Sequence, residues 1–229
     1  IMKKLLITID GPAGAGKTTV SRMLADCLGY RYVDTGALYR GVAWAAQNAG
    51  VVIDENDRLE KLLDNLKLEF IRKNQSTRLM AGATDITDQI RTPQMSLLAS
   101  AFSAKPIVRA RLLSLQHEMG RQKAAVFEGR DMGTVVFPEA DFKFFLDASL
   151  TVRAQRRFAE LAPEKKQSFE KVAEDIKLRD NNDKSRAIAP LRPAEDAFHI
   201  DSSAFSAKEV VTQMQNHIAD KTQSDLKST

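Results

Sequence analysis

The chain has 229 residues, 43% of them hydrophobic and 28% charged, with 34 Lys and Arg against 30 Asp and Glu for a formal net charge of +4. This is an ordinary globular balance, which excludes a disordered polar tail and a collagen-like repeat. No stretch approaches the roughly 18 to 20 consecutive apolar residues of a membrane helix, and a single cysteine, Cys27, supplies neither an internal disulfide nor a cysteine metal cluster.

Taken in chain order, Leu5 to Ile9 form a short apolar run closed by Asp10-Gly11-Pro12, the pattern of a buried parallel strand. The N-terminus enters this strand, predicted over Lys4 to Asp10, with no small-residue cleavage site behind it. It does not read as a signal peptide, and Ile1 ahead of Met2 has no expected role. Helical spacing from Lys17 to Leu28 is stopped by Gly29, and Cys27 within it is expected to be a buried core thiol. A second strand is predicted over Tyr30 to Asp34, followed by helices over Leu38 to Ala49 and Asp57 to Leu66; Trp44 falls on the apolar face of the first of these. Short runs at 68–71, 76–80 and 83–86, separated by polar turns, predict a small antiparallel sheet. Helical patterns at 94–103 and 107–122 precede two further core strands, 124–127 and 142–146. Basic helical stretches at 150–161 and 168–183 are joined by the breaker Pro163. A last strand, Phe198 to Ile200, leads to a closing amphipathic helix over Ala207 to Ala219 and a polar end expected to fray. His117, His199 and His217 are scattered without ligand spacing and read as structural or surface residues.

Strands alternating with helices define an α/β fold with a mostly parallel sheet. The expected division is a core of residues 2–35, 106–149 and 189–225, an insertion of 36–105 that carries the small sheet, and a basic helical insertion of 150–188. In such folds ligands bind beyond the carboxyl ends of the strands, here just after Asp10, Val33, Phe127 and Leu146. Residues 151–192 hold eleven Lys and Arg against seven Asp and Glu, so the whole net charge of +4 lies in that segment. A local basic excess favours an anionic ligand. No aromatic residues interleave with these charges as a nucleic-acid platform requires, so a small anion is the better fit.

Gly11-Pro12-Ala13-Gly14-Ala15-Gly16-Lys17-Thr18 fits the P-loop pattern G-x-x-x-x-G-K-[ST], with a strand before it and a helix after. Glycines let the backbone curl so that N–H groups face phosphate oxygens, and the helix start adds the positive end of its dipole. Lys17 supplies a charge for the β and γ phosphates, and the Thr18 hydroxyl is a candidate Mg²⁺ ligand. The chain is expected to bind a nucleoside triphosphate rather than to carry only a tight glycine turn. No Asn-Lys-x-Asp guanine-reading motif is present, which argues against a GTPase. A small phosphotransferase needs a second anion site, and the candidates are Asp34-Thr35-Gly36 with Arg40, the turn Glu128 to Gly133, Arg153 with Arg156 and Arg157 on one helix face, and Arg179 with Asp183 and Arg186. Each also has a plain reading as a turn, a solvated helix face or a surface ion pair.

Together, Gly11 to Thr19, Asp34-Thr35-Gly36-Ala37-Leu38-Tyr39-Arg40, Gly129-Arg130-Asp131-Met132-Gly133-Thr134-Val135-Val136-Phe137-Pro138, and Arg179-Asp180 with Arg186-Ala187-Ile188-Ala189-Pro190-Leu191 resemble the bacterial-type cytidylate kinases, almost from end to end of the chain. The resemblance implies a P-loop sheet core with a nucleoside-monophosphate-binding insertion and a basic lid. It implies transfer of the γ-phosphoryl of ATP to CMP or dCMP. Gly11, Pro12, Ala13, Gly14, Ala15, Gly16, Lys17, Thr18 and Thr19 would hold ATP, with Mg²⁺ on Thr18 or on Thr19, since family members often carry Gly or Ser at the first of these positions. By the same resemblance, Arg40, Arg130 and Arg186 would hold the acceptor phosphate, beside Asp34 and Thr35. Arg179 and Asp183 would reach the ribose, and Ser100, Arg109 and Asp131 would read the base. Lys17, Arg130, Arg186 and the lid residues Arg153 and Arg157 would supply the charge for catalysis. A cytoplasmic monomer with no nucleic-acid or membrane partner is expected. Kinases for UMP, AMP or shikimate, a regulatory switch and a nucleic-acid-stimulated ATPase are the alternatives.

Overall fold

In chain order the first elements are β1 (Leu6–Asp10), α1 (Lys17–Leu28), β2 (Arg31–Asp34), α2 (Thr35–Asn48), α3 (Asn56–Asn65), β3 (Leu68–Lys73), β4 (Ser76–Ala81), β5 (Thr84–Asp85), α4 (Pro93–Phe102) and α5 (Pro106–Gly120). The chain continues through β6 (Ala125–Gly129), a π-helical turn (Met132–Val136), β7 (Phe142–Asp147), α6 (Leu150–Ala159), α7 (Phe169–Ser185), β8 (Phe198–Asp201) and α8 (Ala207–Lys227). This computed structural model describes residues 4–54, 56–73, 76–161 and 167–227. Ile1 and the expected breaker Pro163, with Glu164, Lys165 and Lys166, lie outside the described residues.

The chain forms two units, one of residues up to Val33 and from Gly120 onward, the other Asp34–Met119. The first is built on a five-stranded sheet of order β2-β6-β1-β7-β8. β1 is central, paired in parallel with β6 and β7, and β8 pairs in parallel with β7. Every residue of β1 and β6 is buried, which explains why both read as continuous apolar runs rather than alternating ones. Ile7, Ile9, Phe144 and Leu146 from the sheet pack with Val20 and Leu24 of α1 and with Val210, Val211 and Met214 of α8. α6 and α7 join through a smaller cluster of Ala154, Val172 and Ile176.

The second unit holds the predicted small sheet, β3-β4-β5, with antiparallel pairing throughout. Its core gathers Leu38 and Val42 of α2, Leu59 and Leu63 of α3, Leu79 of β4, and Phe102 of α4. Val108 and Leu112 of α5 are buried in that same cluster. For this reason α5, expected with the sheet core, belongs to the second unit. The indole N–H of Trp44, half-buried against the cluster, donates to Gln89 Oε1 at 2.9 Å.

Three further expectations are corrected. Cys27 is exposed, not buried. At 100° per residue it lies roughly a quarter turn from the centre of the face formed by Lys17, Val20, Ser21, Leu24 and Ala25. α8 does not stop near Ala219 but runs to Lys227, since no Gly or Pro interrupts that stretch. The turn expected over Glu128 to Gly133 runs instead into a π-helical turn at Met132–Val136.

The position of Cys27 has a direct consequence. Ellman's reagent should titrate one thiol rapidly in the native protein, without denaturant. A thiol that reacts only after unfolding would place Cys27 in the core and contradict the packing of α1.

Candidate active site

β1 ends at Asp10, and the chain turns through Gly11–Gly16 into α1. A Cβ at Gly11, where φ is 152°, would sit 1.9 Å from the Leu146 carbonyl oxygen of β7, so only glycine can leave the sheet here. Gly14, with φ 76°, lies against the Arg153 backbone, where a Cβ would meet the carbonyl oxygen at 2.9 Å. Gly16 occupies the N-cap of α1 and brings no capping side chain. The first N–H groups of the helix therefore remain available to an anion. Lys17 is buried, and its ammonium donates to the Pro12 carbonyl at 2.7 Å. Burial, then the neighbouring charge of Arg130, hold its pKa well below the ordinary lysine value, against the opposing pull of Glu128. A phosphate beside it would restore the protonated form.

The loop is clamped through its own backbone. The Ala13 N–H donates to Asp180 Oδ1 at 3.3 Å, while its carbonyl accepts from Arg153 Nη1 at 2.9 Å. Arg153 also pairs with Asp180, and its Nε donates to the Ala148 carbonyl at 2.9 Å. Arg156 donates to Ser202 Oγ at 2.9 Å, to the Ser202 carbonyl at 2.7 Å, and to the Ala15 carbonyl at 3.4 Å. The shared helix face expected for Arg153, Arg156 and Arg157 thus divides. Arg153 and Arg156 reach inward to the P-loop, whereas Arg157 is half-buried and pairs with Glu160 at 3.1 Å. The sequence offers Arg156 only as one member of that candidate anion-binding face, and its bonds to Ser202 and Ala15 depend on the fold.

The register of the sheet sets Asp10 opposite Gly129, so the P-loop and the Gly129-Arg130-Asp131 turn start side by side. Asp10 locks the second to the first, accepting the Met132 N–H at 2.9 Å and the Gly133 N–H at 2.8 Å. The N–H groups of Val135 and Val136 close on the Asp131 carbonyl. Burial pushes the Asp10 carboxyl up to about 6, with those two N–H groups and Lys17 opposing and Asp131 reinforcing the shift.

Arg130 Nε donates to Asp183 Oδ2 at 2.9 Å, and its Nη1 donates to the Gly129 carbonyl. Arg179 Nε lies 4.0 Å from the same carboxylate oxygen, and Arg186 Nε donates to the Asp183 carbonyl at 3.3 Å. Asp183 is buried, so this is no surface ion pair. Burial alone would raise its pKa, but the charges of Arg130, Arg179 and Arg186 win and leave it below the ordinary aspartate value.

Thr18 Oγ1 donates to Glu128 Oε1 at 2.8 Å. A hydroxyl that spends its proton on a carboxylate presents its lone pairs elsewhere, which suits an oxygen ligand of Mg²⁺. Among the described residues no three acidic, histidine or cysteine side chains cluster as a metal site. An ion there would need phosphate oxygens and water to fill its shell, as Mg²⁺ in nucleotide sites does. The sequence marks Glu128 only as the start of the strand-ending turn.

In the second unit, Asp34 caps α2 by accepting the Ala37 N–H at 2.9 Å and pairs with Arg40 Nη2 at 2.8 Å. Arg40 Nε is buried with no partner among the described residues. Thr35 is buried as the first residue of α2. Arg109 is buried, donating to Tyr39 Oη at 3.3 Å and to the Ser103 carbonyl at 3.4 Å. Ser100, half-buried on α4, has its carbonyl bonded by Ser103 Oγ at 2.7 Å.

A glycine-rich loop opening a helix beyond the central strand of a parallel sheet, with a buried lysine folded into it, defines a P-loop nucleotide-binding protein. Solved structures share this fold. A gluconokinase from Sinorhizobium meliloti superposes with a TM-score of 0.53 at 12% identity, covering 99% of this chain and 98% of the other. A shikimate kinase from Bacteroides thetaiotaomicron gives 0.51 at 12% identity, over 95% and 99%. The chain belongs to the cytidylate kinase family, which matches residues 7–220. It is 46% identical to the cytidylate kinase of Geobacter sulfurreducens over 218 residues, covering 95% of this chain and 94% of the relative. It is 40% identical to that of Halalkalibacterium halodurans over 221 residues, covering 96% and 100%.

Asp10 predicts a pH signature. A carboxyl with its folded pKa raised from 3.8 to about 6 binds more protons in the native state, so its contribution to stability falls as pH rises between those values. The difference in unfolding free energy between wild type and Asp10→Asn should decline by about 3 kcal/mol from pH 3.5 to pH 7, on the rule of about 1.4 kcal/mol per pKa unit. Paired urea titrations across that range measure it. A constant difference would show that Asp10 is not held near neutrality by burial.

Proposed function

We propose that the protein transfers the γ-phosphoryl group of ATP to CMP or dCMP, yielding CDP or dCDP and ADP. The observation that carries this reading is the convergence of the half-buried Arg130, Arg179 and Arg186 on the buried Asp183. It begins one strand away from the P-loop, with Arg130 close enough to act on the charge of Lys17. A site for one phosphate group beside a site for another is what phosphoryl transfer between nucleotides requires.

Within this reading, Lys17 and the start of α1 take the β and γ phosphates, and Arg130 and Arg186 take the acceptor phosphate together with Arg40. Asp34 orients Arg40, to which it is already paired. Arg179 and Asp183 serve the ribose. Ser100, Arg109 and Asp131 read cytosine, whose O2 and N3 accept while its exocyclic amine donates. An arginine matches the first two and the serine and aspartate oxygens the third. The Thr18 hydroxyl would hold Mg²⁺, which when bound supplies positive charge to the β and γ phosphate oxygens. Arg157, half-buried on α6, is assigned to the transferring group, while Arg153 acts by fixing the P-loop. The enzyme works as a monomer in the cytosol.

No dedicated base is needed. A phosphate monoester with a second pKa of about 6 is already largely dianionic at neutral pH, so an acceptor oxygen attacks directly. The protein's task is to align the two nucleotides in a loose transition state and to hold charge around the transferring group.

Coupled detection of ADP release across CMP, dCMP, UMP, AMP, shikimate and polynucleotide tests the reading. CMP and dCMP should support turnover. UMP opposes both its N3–H and its O4 to the proposed readers, and with roughly 1–3 kcal/mol for each mispaired group its kcat/KM should fall by about 10²-fold or more relative to CMP. Equal use of UMP and CMP would remove the cytosine assignment, and turnover driven by polynucleotide alone would remove the kinase reading.

A further inference from the structure

Tyr32 has no role in the reading above, yet it shares an acceptor with the P-loop. It stands on β2, the strand beside β6. Its Oη donates to Glu128 Oε1 at 2.7 Å, the same oxygen that accepts from Thr18 Oγ1 at 2.8 Å. On the other side, the Arg22 guanidinium carbon lies 5.1 Å from the centre of the Tyr32 ring. Arg22 sits four residues after Thr18, one turn further along α1. A hydroxyl from the strand and a guanidinium from the helix thus hold the same small assembly.

The physical need for a second donor lies in the glutamate. The terminal torsion of a glutamate side chain is broad, so a carboxylate held by one hydroxyl alone can swing about its last bond. With Tyr32 and Thr18 both on Oε1, that oxygen is pinned. A threonine hydroxyl that binds a cation must send its proton away from the cation, and Glu128 is the acceptor that receives it.

We infer that Tyr32 is a positioning residue for the metal-bound nucleotide, acting through Glu128 to fix the direction in which the Thr18 hydroxyl points. This rests on the reading of the P-loop as a nucleotide and Mg²⁺ site. It adds a component outside the loop, on a different strand, that tunes the metal-dependent part of nucleotide affinity and leaves the metal-independent part alone.

Tyr32→Phe removes the hydroxyl and keeps the ring for Arg22, so the fold is retained and near-unchanged thermal unfolding can be checked first. The measurement is calorimetric affinity for the β,γ-imido analogue of ATP, with saturating Mg²⁺ and again with EDTA. Wild type should bind more tightly with Mg²⁺. In Tyr32→Phe that tightening should shrink by about 3- to 10-fold, the net scale of one ordinary hydrogen bond, while the affinity in EDTA stays at the wild-type value. Glu128→Gln should lose at least as much of the tightening, and adding Tyr32→Phe to it should cost little more, because both act through one oxygen. An equal loss with and without Mg²⁺ would make Tyr32 a merely structural residue, and an unchanged tightening would overturn the inference outright. If wild type bound the analogue equally well in EDTA, the metal reading itself would fall, and the role of Tyr32 with it. Absence of any binding would instead remove the nucleotide reading.

Discussion

One buried carboxylate, that of Asp183, sets the terms for the acceptor side of this protein. Arg130, Arg179 and Arg186 gather around the residue within 4.0 Å. Three like charges kept close inside a protein are tolerable only with a counter-charge among them, and Asp183 is held ionised for that purpose against the cost of its burial. A single carboxylate cannot neutralise three guanidiniums. The remaining positive field is what a dianionic phosphate would find there.

The donor side depends on the same neighbourhood through the sheet. Parallel pairing of β1 with β6 brings Asp10 opposite Gly129, and the Asp10 carboxylate ties the two strand ends together through the N–H groups of Met132 and Gly133. Two backbone bonds do not fully replace water around a buried charge, which is why its pKa rises rather than falls. Lys17 shows the complementary imbalance, an ammonium buried beside Arg130 with a carbonyl for its partner. A bound triphosphate would relieve Lys17, and its affinity draws on that relief. The P-loop itself need not adjust, since Ala13 is already held by Asp180 and Arg153 and Ala15 by Arg156.

What could be read from the sequence is what local chemistry determines. The P-loop is legible because glycines, lysine and threonine act within eight consecutive residues. β1 and β6 are legible because complete burial leaves apolar runs. Features that depend on distant partners are not. The π-helical turn at Met132–Val136 forms on an aspartate 122 residues earlier. The burial of Arg153 depends on Ala13, 140 residues away, and on Asp180 in the next helix. Nothing near Tyr32 in sequence announces Glu128, 96 residues on. Cys27 failed for a different reason: an apolar residue at the edge of a helical face satisfies the periodicity without being covered. The membership of α5 was likewise a matter of which core takes Val108 and Leu112, and amphipathic spacing does not specify that.

The central claim is that the arginines around Asp183 recognise the phosphate of the acceptor. Calorimetric titration of the nucleotide-free protein with CMP and with cytidine, each at low and high salt, tests it most directly. The two ligands share base and sugar and differ in the group these arginines are said to hold. CMP should bind at least about 10²-fold more tightly than cytidine, the scale of two charge-assisted hydrogen bonds, and should weaken as salt screens the field. Cytidine binding as tightly as CMP, with no dependence on salt, would contradict the account.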